Sequence, residues 1–147
     1  MDENESRLIG DWVIQGTAEM SGRQIPIRGT QKGYMDSKNK FIFESDLILD
    51  FGKQKTSWKS RVVEDPPELA SSHEATYKIV SDKFGEGEGK TIFLPNCTHM
   101  VDKSINLGLE NHHITYWLNN KESREVTYSV DDSGHKTGVW EFSRKPK

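Results

Sequence analysis

The residues best suited to chemistry in this chain are its 5 histidines and its single cysteine, Cys97. His73 and Tyr77 stand four apart in a stretch that alternates, so both fall on one face of a strand. An acid and a base on one wall are enough for a small barrel isomerase. Ser60, His73 and Asp46 are residue types of a hydrolytic triad. The chain lacks the strained elbow and the oxyanion loop that make such a set act. No catalytic residue is assigned, and the reading favours a non-enzyme over an isomerase or hydrolase.

Metal and cofactor chemistry fare no better. Cys97 and His99 share a strand face and could hold zinc, but the sequence shows no third or fourth ligand beside them. His112 and His113 point to opposite faces of any regular strand and cannot act jointly. One inward histidine, His73 or His112, would in principle hold a haem iron. Neither a metal nor a cofactor is assigned. Residues 84–90, FGEGEGK, form a glycine-acid segment without the Gly-Lys-Ser/Thr ending or the helix of a phosphate cradle, and its glutamates repel phosphate. It is read as a hairpin loop.

The totals bound the remaining options. The chain has 147 residues, enough for one domain with one core. Hydrophobic residues are 33% and charged residues 29%, the balance of a sheet whose whole outer face meets water. Net charge is −3 and no Lys or Arg block occurs, which argues against nucleic acid. One cysteine excludes a disulfide framework. No apolar run reaches the length of a membrane span, and residues 1–7 read as a flexible leader that is polar, unlike a signal peptide. The expected compartment is the cytoplasm, or a secreted or periplasmic one if a leader has been removed.

These side chains must be carried by strands. From Trp12 to Met20 apolar and polar residues alternate strictly, as a half-buried antiparallel strand requires. Gly16 and Ala18 leave room at its centre, for a neighbouring side chain or for a guest. Similar alternation runs through 24–35, 41–51, 54–63, 73–80, 98–109, 111–119, 124–130 and 136–144, with a short strand at 91–94. Asp36-Ser37-Lys38-Asn39 and Asp131-Asp132-Ser133-Gly134 are strong turn signals. Pro66-Pro67 marks a loop within 64–71. No segment keeps helical spacing with caps. The pattern predicts an all-β fold with little helix: a closed up-and-down antiparallel barrel of about 8–10 strands, preferred over a sandwich because tight turns join successive strands.

Gly10-Asp11-Trp12 at the start of the first strand resembles the Gly-x-Trp motif of lipocalins and the wider calycin superfamily. The resemblance implies that Trp12 plugs one end of a lipocalin-like barrel spanning 8–147, and that Arg144 on the last strand lies across it. The chain has no disulfide pair, and Ser21 to Arg23 leaves no room for the helix pair of the fatty-acid-binding branch. It is most similar in character to the compact lipocalin-like domains found among uncharacterised bacterial proteins.

If strand parity holds throughout, Ile14, Gly16, Ala18, Ile27, Phe43, Trp58, His73, Tyr77, Tyr116 and Tyr128 face the interior as ligand-binding residues, with Leu47 beside them. Gln31, Ser45, His73, Arg124 and His112 would be the polar groups on the same faces. The function read from this set is binding of a small hydrophobic or amphipathic ligand inside the barrel. The alternative is a filled barrel that acts as a protein-interaction module through an outer patch near Trp117 and Val139. A homodimer is compatible with either.

Overall fold

A computed structural model describes residues 3–65 and 73–147. A short helix, α1 (Glu3–Leu8), precedes ten strands: β1 (Gly10–Met20), β2 (Arg23–Met35), β3 (Phe41–Asp50), β4 (Lys55–Glu64), β5 (Glu74–Ser81), β6 (Gly85–Leu94), β7 (Cys97–Ser104), β8 (Glu110–Asn119), β9 (Glu122–Val130) and β10 (Lys136–Pro146). Each pairs antiparallel with the next, and β1 pairs with β10 from Trp12↔Pro146 to Glu19↔Val139, which closes the sheet. Closure leaves no edge strand to template association. The all-β, up-and-down barrel expected from the alternation is the observed fold. The loop expected at 64–71 falls mostly outside the described residues, and its first residue, Glu64, belongs to β4.

Two features differ from the sequence reading. Residues 3–7 of the segment read as a flexible leader, together with Leu8, form α1, with Asn4 and Glu5 buried. The Asn4 amide donates to the carbonyls of Leu94 and Cys97 at 2.8 and 3.3 Å, which docks the helix on the β6–β7 turn. The glycine-acid segment is the first half of β6 rather than a loop. Its own alternation explains this: Gly87 and Gly89 face in and Glu86 and Glu88 face out. A Cβ at Gly89 would lie 2.0 Å from the Val101 carbonyl oxygen, so only glycine lets β6 and β7 approach there.

Gly16 serves the same end. A Cβ there would meet the Glu141 carbonyl oxygen at 1.9 Å and the Phe142 Cβ at 2.6 Å. The space that the sequence left open at the centre of β1 is taken by β10, and no guest fits it.

The interior is divided between two apolar clusters. Trp12, Phe41, Phe43, Val62, Tyr77 and Trp117 fill the end beneath α1, joined by Leu8 and Met35. Trp12 meets Trp117 edge-on, 5.9 Å between centroids, and its indole N–H donates to the Leu8 carbonyl at 2.9 Å. Trp12 therefore plugs this end. Ile14, Ala18, Ile25, Ile27, Leu47, Leu49 and Phe142 make a second cluster along β1, β2, β3 and β10, with Trp58 and Trp140 packed against it.

Candidate functional site

Between these clusters the barrel is hollow. A cavity of about 370 Å³ opens at the end opposite α1, bordered by Met20, Ser21, the Asp82–Lys83–Phe84 turn, Leu109 and Gly138. Its wall on one side is Leu47, Trp58, Trp140 and Phe142, and on the other Gly87, Asp102, Asn111, His113, Glu125 and Thr127. The cavity is two-sided in chemistry: apolar and aromatic along β3, β4 and β10, polar along β7, β8 and β9.

The polar wall follows from the pleat. On β8 the inward positions are Asn111, His113 and Thr115, and on β9 they are Ser123, Glu125, Thr127 and Ser129. Polar groups withdrawn from water must find partners, and these do so in a continuous chain. Asp102 accepts from the Tyr77 hydroxyl at 2.8 Å, from the Asn111 amide at 2.9 Å and from His113 Nε2 at 3.0 Å. Asn111 in turn accepts from the Ser129 hydroxyl at 2.6 Å. Thr127 lies 3.4 Å from His113 Nδ1 and donates to Glu125 at 2.9 Å. Arg144 then donates to Glu125 at 2.9 Å, to Ser123 at 2.9 Å and to Gln31 at 2.6 Å. Gln31 closes the chain by donating to Ser45 at 3.0 Å.

Titration within this network follows from its contacts. Burial works against the Asp102 charge, but the hydrogen bonds from His113, Asn111 and Tyr77 outweigh it and hold the carboxyl below its usual value. Burial likewise opposes the His113 imidazolium, yet the Asp102 carboxylate wins and raises it. Burial, with Asp102 beside it, pushes the Tyr77 phenol far up, so it stays a donor. The His113 side chain keeps 22% of its surface open while that of Asp102 keeps 2%, so His113 presents the pair to the cavity.

The mouth is narrowed by aromatic rings. Lys83 reaches from the β5–β6 turn over Trp58, Phe84 and Trp140, its Nζ 4.6, 4.9 and 5.4 Å from the ring centroids. Partial burial against these rings lowers the Lys83 amine from its usual value.

The structure places the sequence-derived candidates unevenly. Ile14, Ala18 and Ile27 are inward and buried, and Phe43 and Tyr77 lie inward in the plugged end. Trp58 lines the cavity. Tyr128 borders the cavity at the mouth, but its ring stacks on His112 of the outer face. Other expectations are corrected. Tyr116 is 37% exposed on the outer wall, and His73 is exposed at the start of β5. Arg124 is exposed and His112 faces outward, whereas Gln31 and Ser45 do line the cavity. Trp117, expected in an outer patch, is buried.

His73 shares the parity of buried Ala75 and Tyr77 but lies just before β5, where it is exposed; the other corrections share one inversion. On β8 and β9 the alternation predicts the apolar side chains inward, but the wall they share with the cavity is polar and the apolar residues Ile114, Tyr116, Leu118 and Val126 face out. The residues missed were Asp102, Asn111, His113, Glu125 and Thr127. A signal existed: two successive strands each carry an unbroken polar row at period two, opposite an arginine on the next strand.

Arg144 also departs from its expected role. Its guanidinium carbon lies 5.4 Å from the Phe43 ring and 5.7 Å from Phe142, rather than over Trp12. The register pairs Arg144 with Ile14 and Trp12 with Pro146, which sets the arginine one step deeper, where Glu125 offsets its charge.

Fold and cavity together define a class, the closed ten-strand antiparallel barrel with a hollow interior. Among solved structures the chain is similar to the one described as the structure of EF1p2_mFAP2b bound to DFHBI. The sequences are 10% identical over 97% of this chain and 95% of that chain, with a TM-score of 0.52, a likeness of fold. No known protein family matches the chain, and no curated protein matches it. Among the described residues no helix is long and apolar enough to cross a membrane.

Proposed function

We propose that this protein binds one small apolar or amphipathic molecule inside its barrel, as a lipocalin-like member of the calycin group. The observation that carries the reading is the two-sided cavity of about 370 Å³. A space of that size matches small-ligand sites, which combine mostly apolar walls with a few placed polar groups. The ligand's body would lie against Leu47, Trp58, Trp140 and Phe142. Its polar end would meet His113, Thr127 and Glu125. A filled barrel would leave no such hollow, so the interaction-module alternative loses its main premise.

The test is a thermal-shift and tryptophan-quenching screen with retinoids, fatty acids, fluorescent hydrophobic dyes and DFHBI, the compound bound in the similar structure. A binder should raise the melting temperature as RT ln(1 + [L]/Kd) requires. It should also quench Trp58 and Trp140, with quenching reduced in Trp58→Phe. A panel in which nothing shifts the melting temperature or quenches the tryptophans overturns the reading. Sedimentation of the free and loaded protein shows whether a homodimer accompanies binding.

A further inference from the structure

The outer wall carries a cluster that the cavity does not use. Alternation turns Thr98, Met100 and Asp102 inward on β7, and Asn111 and His113 inward on β8. That leaves His99 and His112 outside, diagonal to each other, since His99 pairs with Ile114 and His112 with Val101. His99 Nε2 and His112 Nδ1 are 2.9 Å apart. The other nitrogen of His112 lies 2.7 Å from Glu110 Oε1. The His112 ring stacks on Tyr128, with centroids 4.7 Å apart and planes 6° from parallel, so its orientation is held from a third strand.

The chemistry of this arrangement is specific. The Glu110 carboxylate accepts only, so neutral His112 carries its proton on Nε2 and aims the Nδ1 lone pair at His99. A carboxylate that fixes the tautomer of an imidazole whose other nitrogen faces a second donor is the usual outer shell of a metal-binding histidine. Two imidazole nitrogens, each about 2.0–2.1 Å from one ion, stand roughly 2.8–3.4 Å apart at ordinary ligand angles. The observed separation falls in that range, and an ion held by both nitrogens sits off the N···N line, so each imidazole turns by roughly 45° to aim its lone pair at it.

We infer that His99 and His112 form a two-imidazole site for a first-row divalent transition metal on the outer wall, with Glu110 as its positioning residue. Among the described residues no set of three or more His, Cys, Asp or Glu side chains is arranged around an ion, so water completes the coordination. Imidazole donors favour Cu²⁺ over Ni²⁺ and Zn²⁺, which sets the order expected here. Lys136, with Nζ 5.5 Å from the Tyr128 ring, is the nearby cation that the Glu110 charge must offset.

The experiment titrates the metal-free, full-length protein with Cu²⁺ near pH 7.5, by calorimetry and by electron paramagnetic resonance. One equivalent should bind with nitrogen hyperfine structure from imidazole. His99→Gln and His112→Gln should each weaken binding tenfold or more. Glu110→Gln should weaken it about tenfold while the nitrogen signature persists, within the 10–100-fold range for outer-shell partners. His135→Gln, a histidine elsewhere on the surface, should change nothing. Circular dichroism melts confirm that these surface variants fold. Equal stoichiometry and affinity in the His99→Gln/His112→Gln double variant, or a Cu²⁺ spectrum without imidazole nitrogen, overturns the site.

Discussion

The indoles of Trp58 and Trp140 lie stacked, centroids 4.6 Å apart and planes 23° from parallel, although β3, β2 and β1 separate their strands in the barrel. The pair spans the apolar side of the mouth across those three strands. Stacked indoles couple their transitions, so the near-ultraviolet circular dichroism of the protein should carry a signal that either Trp58→Phe or Trp140→Phe removes. Trp140→Ala should also destabilise by about 2 kcal/mol, below the range for a fully buried ring because this one is half-buried. Equal spectra for variant and wild type would show that the rings do not stack in solution.

Lys83 sits over both indoles at the mouth. An exposed cation–π contact is worth about 0.5–1 kcal/mol, so Lys83→Ala should barely change stability. It should speed association of an apolar dye severalfold in stopped-flow fluorescence. Unchanged association would mean that the lysine rests on the rings without gating them.

Arg144 is 1% exposed and is the cation that faces Glu125. Arg144→Met leaves a buried carboxylate uncompensated, which should cost about 3–5 kcal/mol in urea unfolding. Arg144→Lys should restore little, because an ammonium cannot serve Glu125, Ser123 and Gln31 with one planar fork. The double variant Arg144→Met/Glu125→Gln should recover part of the loss. Additive losses in the double variant would break the pairing argument.

Asp102 and His113 give stability opposite pH dependences. Asp102 has its carboxyl held below the ordinary 3.8, so its contribution is present above that value and is lost as pH falls through the lower, folded one. His113 has its imidazolium held above the ordinary 6.5, so its contribution is full below 6.5 and is lost as pH rises through the higher, folded value. Unfolding curves measured across pH should therefore decline on both sides. Asp102→Asn should flatten both limbs, because the His113 shift depends on its carboxylate, and His113→Gln chiefly the neutral-to-alkaline one. A His113→Gln profile that still falls above pH 6.5 would assign that limb to another group.

The architecture was readable because ten strands announce themselves by period two and by turn residues such as Asp36 and Asp131, which need no tertiary context. Trp12 as a plug was implied by the resemblance of Gly10-Asp11-Trp12 to the Gly-x-Trp motif. The cavity was not readable. Reading Ile114, Tyr116 and Val126 as inward assumes that apolar means buried, and that rule reverses where the interior holds Asp102, His113 and Glu125. The role of Arg144 needed its three partners, which come from β2 and β9 and lie far off in sequence. Only coordinates bring Gln31, Ser123 and Glu125 to it. The helix α1 was missed because six residues are too few for periodicity to show.

The docking of Asn4 on the β6–β7 turn has a consequence for traffic through the molecule. Among the described residues α1, Trp12 and Trp117 stopper that end, and the cavity opens at the other. A resident must depart before a newcomer can take its place, so exchange rates should be set by departure and should not respond to the concentration of the challenger.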